Sequence, residues 1–165
     1  PGTLQDLDTL VRYSLLLAKE SEEISLDRKT LALGIQAALE DTTKAQYFVA
    51  EVEGPDGTMD IAGQLMLTFE WSDWRNGMFL WIQSVFVAAH HRRKGVFRAL
   101  YAHVTEMAAS PSYCGVRLYV HEDNPSAQET YLKLGMLDAG YTILETPESF
   151  LPTNEPDPAP SLSRT

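Results

Sequence analysis

Ile82-Gln83-Ser84-Val85-Phe86-Val87 runs through Ala88-Ala89 into His90-His91-Arg92-Arg93-Lys94-Gly95-Val96-Phe97-Arg98-Ala99-Leu100. The opening is rich in apolar and β-branched residues and reads as a strand. A short basic turn follows, and a helix-compatible sequence begins at once, with Val96, Leu100, Val104 and Met107 at helical spacing. That order aims the unpaired N–H groups of a helix start, together with several cations, at one spot beside a strand end. Such a spot binds phosphate. The stretch therefore predicts a phosphate-bearing cofactor, and with it an enzyme.

The chain has 165 residues, 44% hydrophobic and 22% charged, which is the balance of one soluble globular domain. We expect that domain over residues 1–146, and a tail over 147–165 that is rich in proline and polar residues. No apolar run approaches the roughly 20 residues needed to span a bilayer, and no signal peptide opens the sequence, so the expected setting is cytoplasmic with no membrane partner. A single cysteine, Cys114, excludes an internal disulfide framework and reads as structural rather than nucleophilic. The formal charge of −10 disfavours nucleic acid, whose phosphates would be repelled. Against it, Arg92, Arg93, Lys94 and Arg98 form a local positive island.

Elsewhere the pattern alternates between helix and strand. Thr3 reads as an N-cap with Asp6 in the first turn, followed by Leu4, Leu7, Leu10, Val11 and Leu15 at helical spacing. Ser25 or Asp27 caps a second helix through Leu31, Ile35, Ala38 and Leu39. Strands are expected at Tyr47 to Val52, Ile61 to Trp71 and Met78 to Val87, separated by the turns Gly54-Pro55-Asp56-Gly57 and Asp73 to Gly77. Beyond the basic turn come a helix to about Ala109, a strand at Val116 to His121, a short helix at Pro125 to Leu134 and a last strand at Tyr141 to Leu144. The class is α/β (α+β), a mixed sheet with helices on both faces.

Two motifs carry a family resemblance. Residues Arg92 to Phe97 nearly spell R-x-x-G-x-G/A, and Asn124 to Met136 fits N-x-x-A-x-x-x-Y-x-x-x-G-[FM], following the apolar Leu118-Tyr119-Val120. In this order and separation they resemble the acyl-CoA pyrophosphate loop and the second hallmark of the GNAT superfamily of N-acetyltransferases. The resemblance implies a twisted, mostly antiparallel sheet of about six strands. It also implies acetyl-CoA as cofactor, and a splay between Ser84-Val85-Phe86-Val87 and Leu118-Tyr119-Val120 that admits the pantetheine arm. The cofactor-binding set it implies is Val85, Phe86, Val87, Arg92, Arg93, Lys94, Gly95, Val96, Phe97, Arg98, Asn124, Ala127 and Tyr131. Phe97 departs from the glycine or alanine of the pattern and would either crowd the pyrophosphate or turn into the core. The strand that opens the family's domains has no counterpart before Thr3, so that edge strand is expected to be missing or truncated.

By the same resemblance Tyr131 is the general acid for the departing thiolate. The base is less defined. Neutralising a lysine-type amine of pKa about 10.4 at pH 7 costs roughly 4–5 kcal/mol, which desolvation or a carboxylate relay must supply. Polyamine-acetylating relatives carry a glutamate where this chain has Gln83. Glu70, His121, Glu122 and a water held by Gln83 and Ser84 remain. The acceptor pocket is expected from Glu23 in the first inter-helix loop, from Trp71, Asp73 and Trp74 on the hairpin, and from Trp81 and His121. Aromatic faces beside carboxylates suit a cationic amine. The layout is similar to spermidine/spermine and thialysine acetyltransferases.

The expected reaction is acetyl transfer to a primary amine of a small molecule by direct attack in a ternary complex. A protein or peptide amino group, and a non-catalytic acyl-CoA sensor, are the alternatives. A homodimer is expected from strand edges able to pair with a copy. No metal is expected, because adjacent His90 and His91 would point apart on extended backbone, His103 lies mid-helix and His121 has no ligand partner at useful spacing.

Overall fold

A computed structural model describes residues 1–21 and 23–146. Thr3 opens a 3-10 turn, Leu4–Asp6, through a reciprocal capping box with Asp6. The turn runs on into α1 (Leu7–Ser21), and Asp27, not Ser25, caps α2 (Arg28–Glu40) through the Thr30 amide. Strands β1 (Gln46–Glu53), β2 (Met59–Ser72) and β3 (Gly77–Val87) form two successive hairpins. Helix α3 (Val96–Ala108) and strand β4 (Tyr113–Leu118) complete the first of two compact units, Pro1–Pro125. The second unit begins at Ser126 and holds most of α4 (Pro125–Lys133). Among the described residues, no helix is long and apolar enough to cross a membrane.

The sheet order is β1-β2-β3-β4, antiparallel at the first two interfaces and parallel at the third. Period-two alternation sends successive side chains to opposite faces. Phe48, Leu65, Leu67, Leu80 and Ile82 pack against Val96, Leu100 and Val104 of α3. Tyr47 joins Leu10, Val11, Ile35 and Ala38 from α1 and α2 on the other side. The mixed class with helices on both faces holds, and the sheet has four strands among the described residues rather than about six.

Two strand expectations need correction. Tyr141 to Leu144 forms no strand. The fourth strand begins at Tyr113 rather than Val116, because the turn after α3 delivers Ser112 directly to the Met78 amide. At the other edge no described strand precedes α1, and one bond from the Gly2 amide to the Tyr47 carbonyl (2.7 Å) stands there. The expected tail, 147–165, lies outside the described residues.

Candidate active site

The site is built where β3 changes hand. Gln64 pairs with Phe86 but Met66 pairs with Gln83, so β3 carries one residue more than β2 in that interval. This is a β-bulge, and it reverses which face each side chain takes. Leu80 and Ile82 face α3, whereas Phe86 packs beside Tyr13 on the α1 face. Ser84 absorbs the distortion at φ 50°, a left-handed conformation that costs a non-glycine residue about 1–2 kcal/mol. Gln64 stands across from it, 0% exposed, and donates from Nε2 to the Ser84 carbonyl (3.3 Å) and to Ser14 Oγ of α1 (3.0 Å). Its Oε1 is buried with no hydrogen-bond partner among the described residues. Flipping the amide would set two carbonyl oxygens against each other, so the Ser84 carbonyl fixes the orientation.

The bulge coincides with a parting of strands. Parallel pairing runs from Met78 and Tyr113 to Ile82 and Leu118 and stops there. Beyond it Gln83 to Val87 has β2 on one side and no β4 on the other, while Tyr119 and Val120 leave the sheet. A slot with main-chain groups on one wall results, which is what an extended, amide-bearing arm needs. On the α1 side, a cavity of about 200 Å³ opens among Ser14, Leu17, Ile24, Leu31, Tyr47 and Ser84. Its wall is mostly apolar.

Next along the chain is the anion cradle. Arg93 and Gly95 both have positive φ (62° and 86°), and Gly95 precedes α3 with no side-chain cap. The helix itself offers no carbonyl to its first-turn amides, among them those of Val96 and Arg98. A Cβ at Gly95 would meet nothing within 4 Å, so this spot is open. The Phe97 ring lies beside Tyr101 of α3, with centroids 6.0 Å apart, and it is not within 4 Å of a Cβ built at Gly95. Arg93, Lys94 and Arg98 are exposed, and none of them forms an ion pair among the described residues. Arg92 is used differently. Its Nε donates to the Val87 carbonyl (2.9 Å) and its Nη2 to Glu20 (2.5 Å), tying the end of α1 to the end of β3. Gly63 helps to set the cradle's height, because any Cβ there would lie 2.8 Å from the Phe86 carbonyl and 3.0 Å from Val96.

The Acetyltransferase (GNAT) family profile matches residues 13–136, which contain both the bulge and the cradle. A solved structure of a possible acetyltransferase from Clostridium difficile 630 is 38% identical over 88% of this chain and 93% of its own, at a TM-score of 0.78. The chain belongs to the GNAT acetyltransferase family. As a GNAT protein it is an N-acetyltransferase that uses acetyl-CoA. A probable acetyltransferase at 20% identity (89% of this chain, 97% of that one, TM-score 0.76) has the same fold. So does a predicted acetyltransferase from Clostridium acetobutylicum, solved with acetyl-CoA, at 16% identity (87% and 92%, TM-score 0.69). None of the curated proteins matches this chain.

The GNAT frame shows which predicted residues come together. Val85, Phe86 and Val87 line the parted edge of β3, directly before the turn that carries Arg93 to Arg98. Glu23 adjoins Ile24, which lines the cavity at the bulge. Trp71 and Trp74 do not join them. They are 56% and 88% exposed near the tip of the β2–β3 hairpin, and Trp71 pairs with Met78, six residues from Ser84. At about 3.3 Å per residue that is roughly 20 Å. Asp73 sits on the same tip and caps the Trp74 amide (2.9 Å).

Glu70 accepts from Trp81 Nε1 (2.5 Å) and from Arg117 Nη1 (3.3 Å), so both of its oxygens are already engaged. Gln83 donates to Thr68 Oγ1 (2.7 Å), and His121 Nδ1 accepts from the Asp123 amide (3.2 Å). Asn124 stands at the end of the first unit, its amide bonded to the His121 carbonyl (3.0 Å). Ala127 and Tyr131 lie on α4 in the second, and burial raises the Tyr131 phenol above its usual value of 10. Gln64, Ser14 and the cavity went unread in the sequence. A glutamine amid apolar strand residues was the available signal.

Proposed function

We propose that this enzyme acetylates the primary amine of a small molecule carrying an apolar side group, by direct attack in a ternary complex. The observation that carries the reading is the cavity of about 200 Å³ beside the Ser84 bulge, with Leu17, Ile24, Leu26 and Leu31 in its wall. Its volume suits a compact acceptor rather than a long polyamine, and its wall rewards burial of apolar surface.

When bound, acetyl-CoA supplies the acetyl group as a thioester, whose C–S bond breaks as the acceptor nitrogen takes the acetyl carbon. The amides opening α3, with Arg93, Lys94 and Arg98, hold the diphosphate. Open space at Gly95 supports that fit. The parted edge of β3 orients the arm, and its main-chain N–H near Val85 polarises the carbonyl. By the family resemblance Tyr131, whose phenol burial raises above its usual value, would supply a proton to the departing thiolate. The engagement of Glu70 with Trp81 and Arg117 favours a water near Gln83 and Ser84 as the acceptor of the amine's proton.

Thiol release from acetyl-CoA, measured across a panel of amines, tests this. Apolar primary amines such as arylalkylamines are expected to exceed spermidine and peptides in kcat/KM. Preference for polyamines or peptide amines overturns the acceptor class, and coenzyme binding without release across the panel overturns turnover in favour of a sensor.

A further inference from the structure

His90 and His91 do not diverge. The backbone there is a 3-10 turn, Ala89–His91, rather than extended chain, and it sets the two imidazoles 4.1 Å apart, centroid to centroid. Both reach across to the start of β2. His91 Nε2 lies 3.1 Å, and His90 Nε2 3.3 Å, from the same oxygen, Asp60 Oδ2. One ligand atom from each of these three residues lies within 4.8 Å of the others. Bonds of about 2.0–2.1 Å to a tetrahedral zinc ion hold its ligand atoms about 3.3 Å apart, so the two nitrogen–oxygen separations already match the edge of that polyhedron.

We propose that Asp60, His90 and His91 form a binding site for a divalent transition-metal ion, with Zn²⁺ the ion their donor set suits. Two imidazole nitrogens and one carboxylate oxygen make a borderline-soft set, and three protein ligands leave a fourth position for water. The site faces an open cleft of about 890 Å³, which gives an ion a way in. That cleft is lined by the carboxylates of Glu53, Asp56 and Asp60 against the single cation Lys94, so its field favours a cation. The ion would clip the first residues of β2 to the turn that leads into the cradle. Nothing in acetyl transfer requires the ion, and its three ligands are not among the residues assigned to that reaction, although Lys94 and Val96 of the cradle also line this cleft.

Titration of the untagged full chain, stripped with a chelator, with ZnCl₂ in a calorimeter tests the proposal. The expected result is saturable uptake of one ion per chain. His90→Gln and Asp60→Asn are expected to weaken it on the order of 100-fold, since even second-sphere changes cost 10- to 100-fold. His90 is an exposed side chain, so its variant keeps the fold and separates lost ligation from lost structure. In parallel, ¹⁵N spectra of the imidazoles should show the Nε2 resonances of His90 and His91 moving together on Zn²⁺ addition. Absence of saturable binding overturns the proposal. So does equal affinity in both variants, or movement of His103 or His121 in place of the pair.

Discussion

On the proposed mechanism, replacing Gly95 and replacing Tyr131 separate binding from chemistry. Gly95 holds φ 86° in open space at the head of α3. Gly95→Val adds about 1–2 kcal/mol of backbone strain and puts methyl groups where a diphosphate would sit. Acetyl-CoA affinity should fall about tenfold or more by calorimetry, with the melting temperature lowered by about 2–8 °C and the fold kept; equal affinity would place the phosphates elsewhere. For Tyr131, removal of a proton donor costs about 100-fold or more in rate when the donor is a general acid. Tyr131→Phe is thus expected to lower kcat by about that factor while changing coenzyme affinity little, and unchanged kcat removes Tyr131 from the reaction. Because burial lifts its phenol above 10, wild-type kcat should hold up through mildly alkaline pH and fall only beyond that value.

At the scale of elements, the β3 bulge and the turn into α3 together make the proposed site. Gln64 is the bulge's clamp, a positioning residue acting through the Ser84 carbonyl. Gln64→Leu removes both donated bonds, and the orphaned Oε1 goes with them, so the stability change should stay within about 1–2 kcal/mol. A bulge shifted by a fraction of an ångström misplaces the thioester, and kcat should drop about 10- to 100-fold. Stopped-flow or steady-state thiol release checks this, and an unchanged kcat would show that the bulge needs no clamp.

This scale also shows what was legible in the sequence. The strand–turn–helix order and the two motifs were readable because main-chain chemistry leaves a local signature in Gly95, the basic run and Asn124. The hairpins at Gly54–Gly57 and Asp73–Gly77 were readable for the same reason. The bulge was not, because a one-residue slip depends on the partner strand and leaves no composition signal. The cavity beside the bulge was missed for a related reason, since Leu17 and Ile24 look like ordinary helix and loop apolar residues until α1 is laid on the sheet. Trp71 and Trp74 attracted attention by chemistry alone, and composition did not show that Trp71 sits at the hairpin end of β2 with Trp74 in the turn beyond it. The convergence of His90 and His91 likewise depends on a 3-10 turn that their neighbours do not announce.

For the whole molecule, stability should carry a tyrosine signature at high pH. Tyr47 is buried between the sheet and α1–α2, and desolvation pushes its phenol up to about 12. In the unfolded chain it ionises near 10. The fold therefore keeps a proton that the unfolded chain gives up, and stability present below pH 10 is lost as pH rises toward 12, at about 1.4 kcal/mol per unit. Urea unfolding between pH 9 and 12 should show this slope, and Tyr47→Phe should flatten it. An identical slope in the variant would assign the loss to other groups.

The central claim is that α3's opening amides hold a diphosphate while the parted edge of β3 receives a thioester. A crystal structure of the complex with acetyl-CoA measures it directly. We predict diphosphate oxygens within hydrogen-bond distance of the amides from Arg93 to Arg98 and the acetyl group beside Ser84 and Val85. Density for the diphosphate elsewhere, or a cradle closed by the Phe97 ring, would contradict the account.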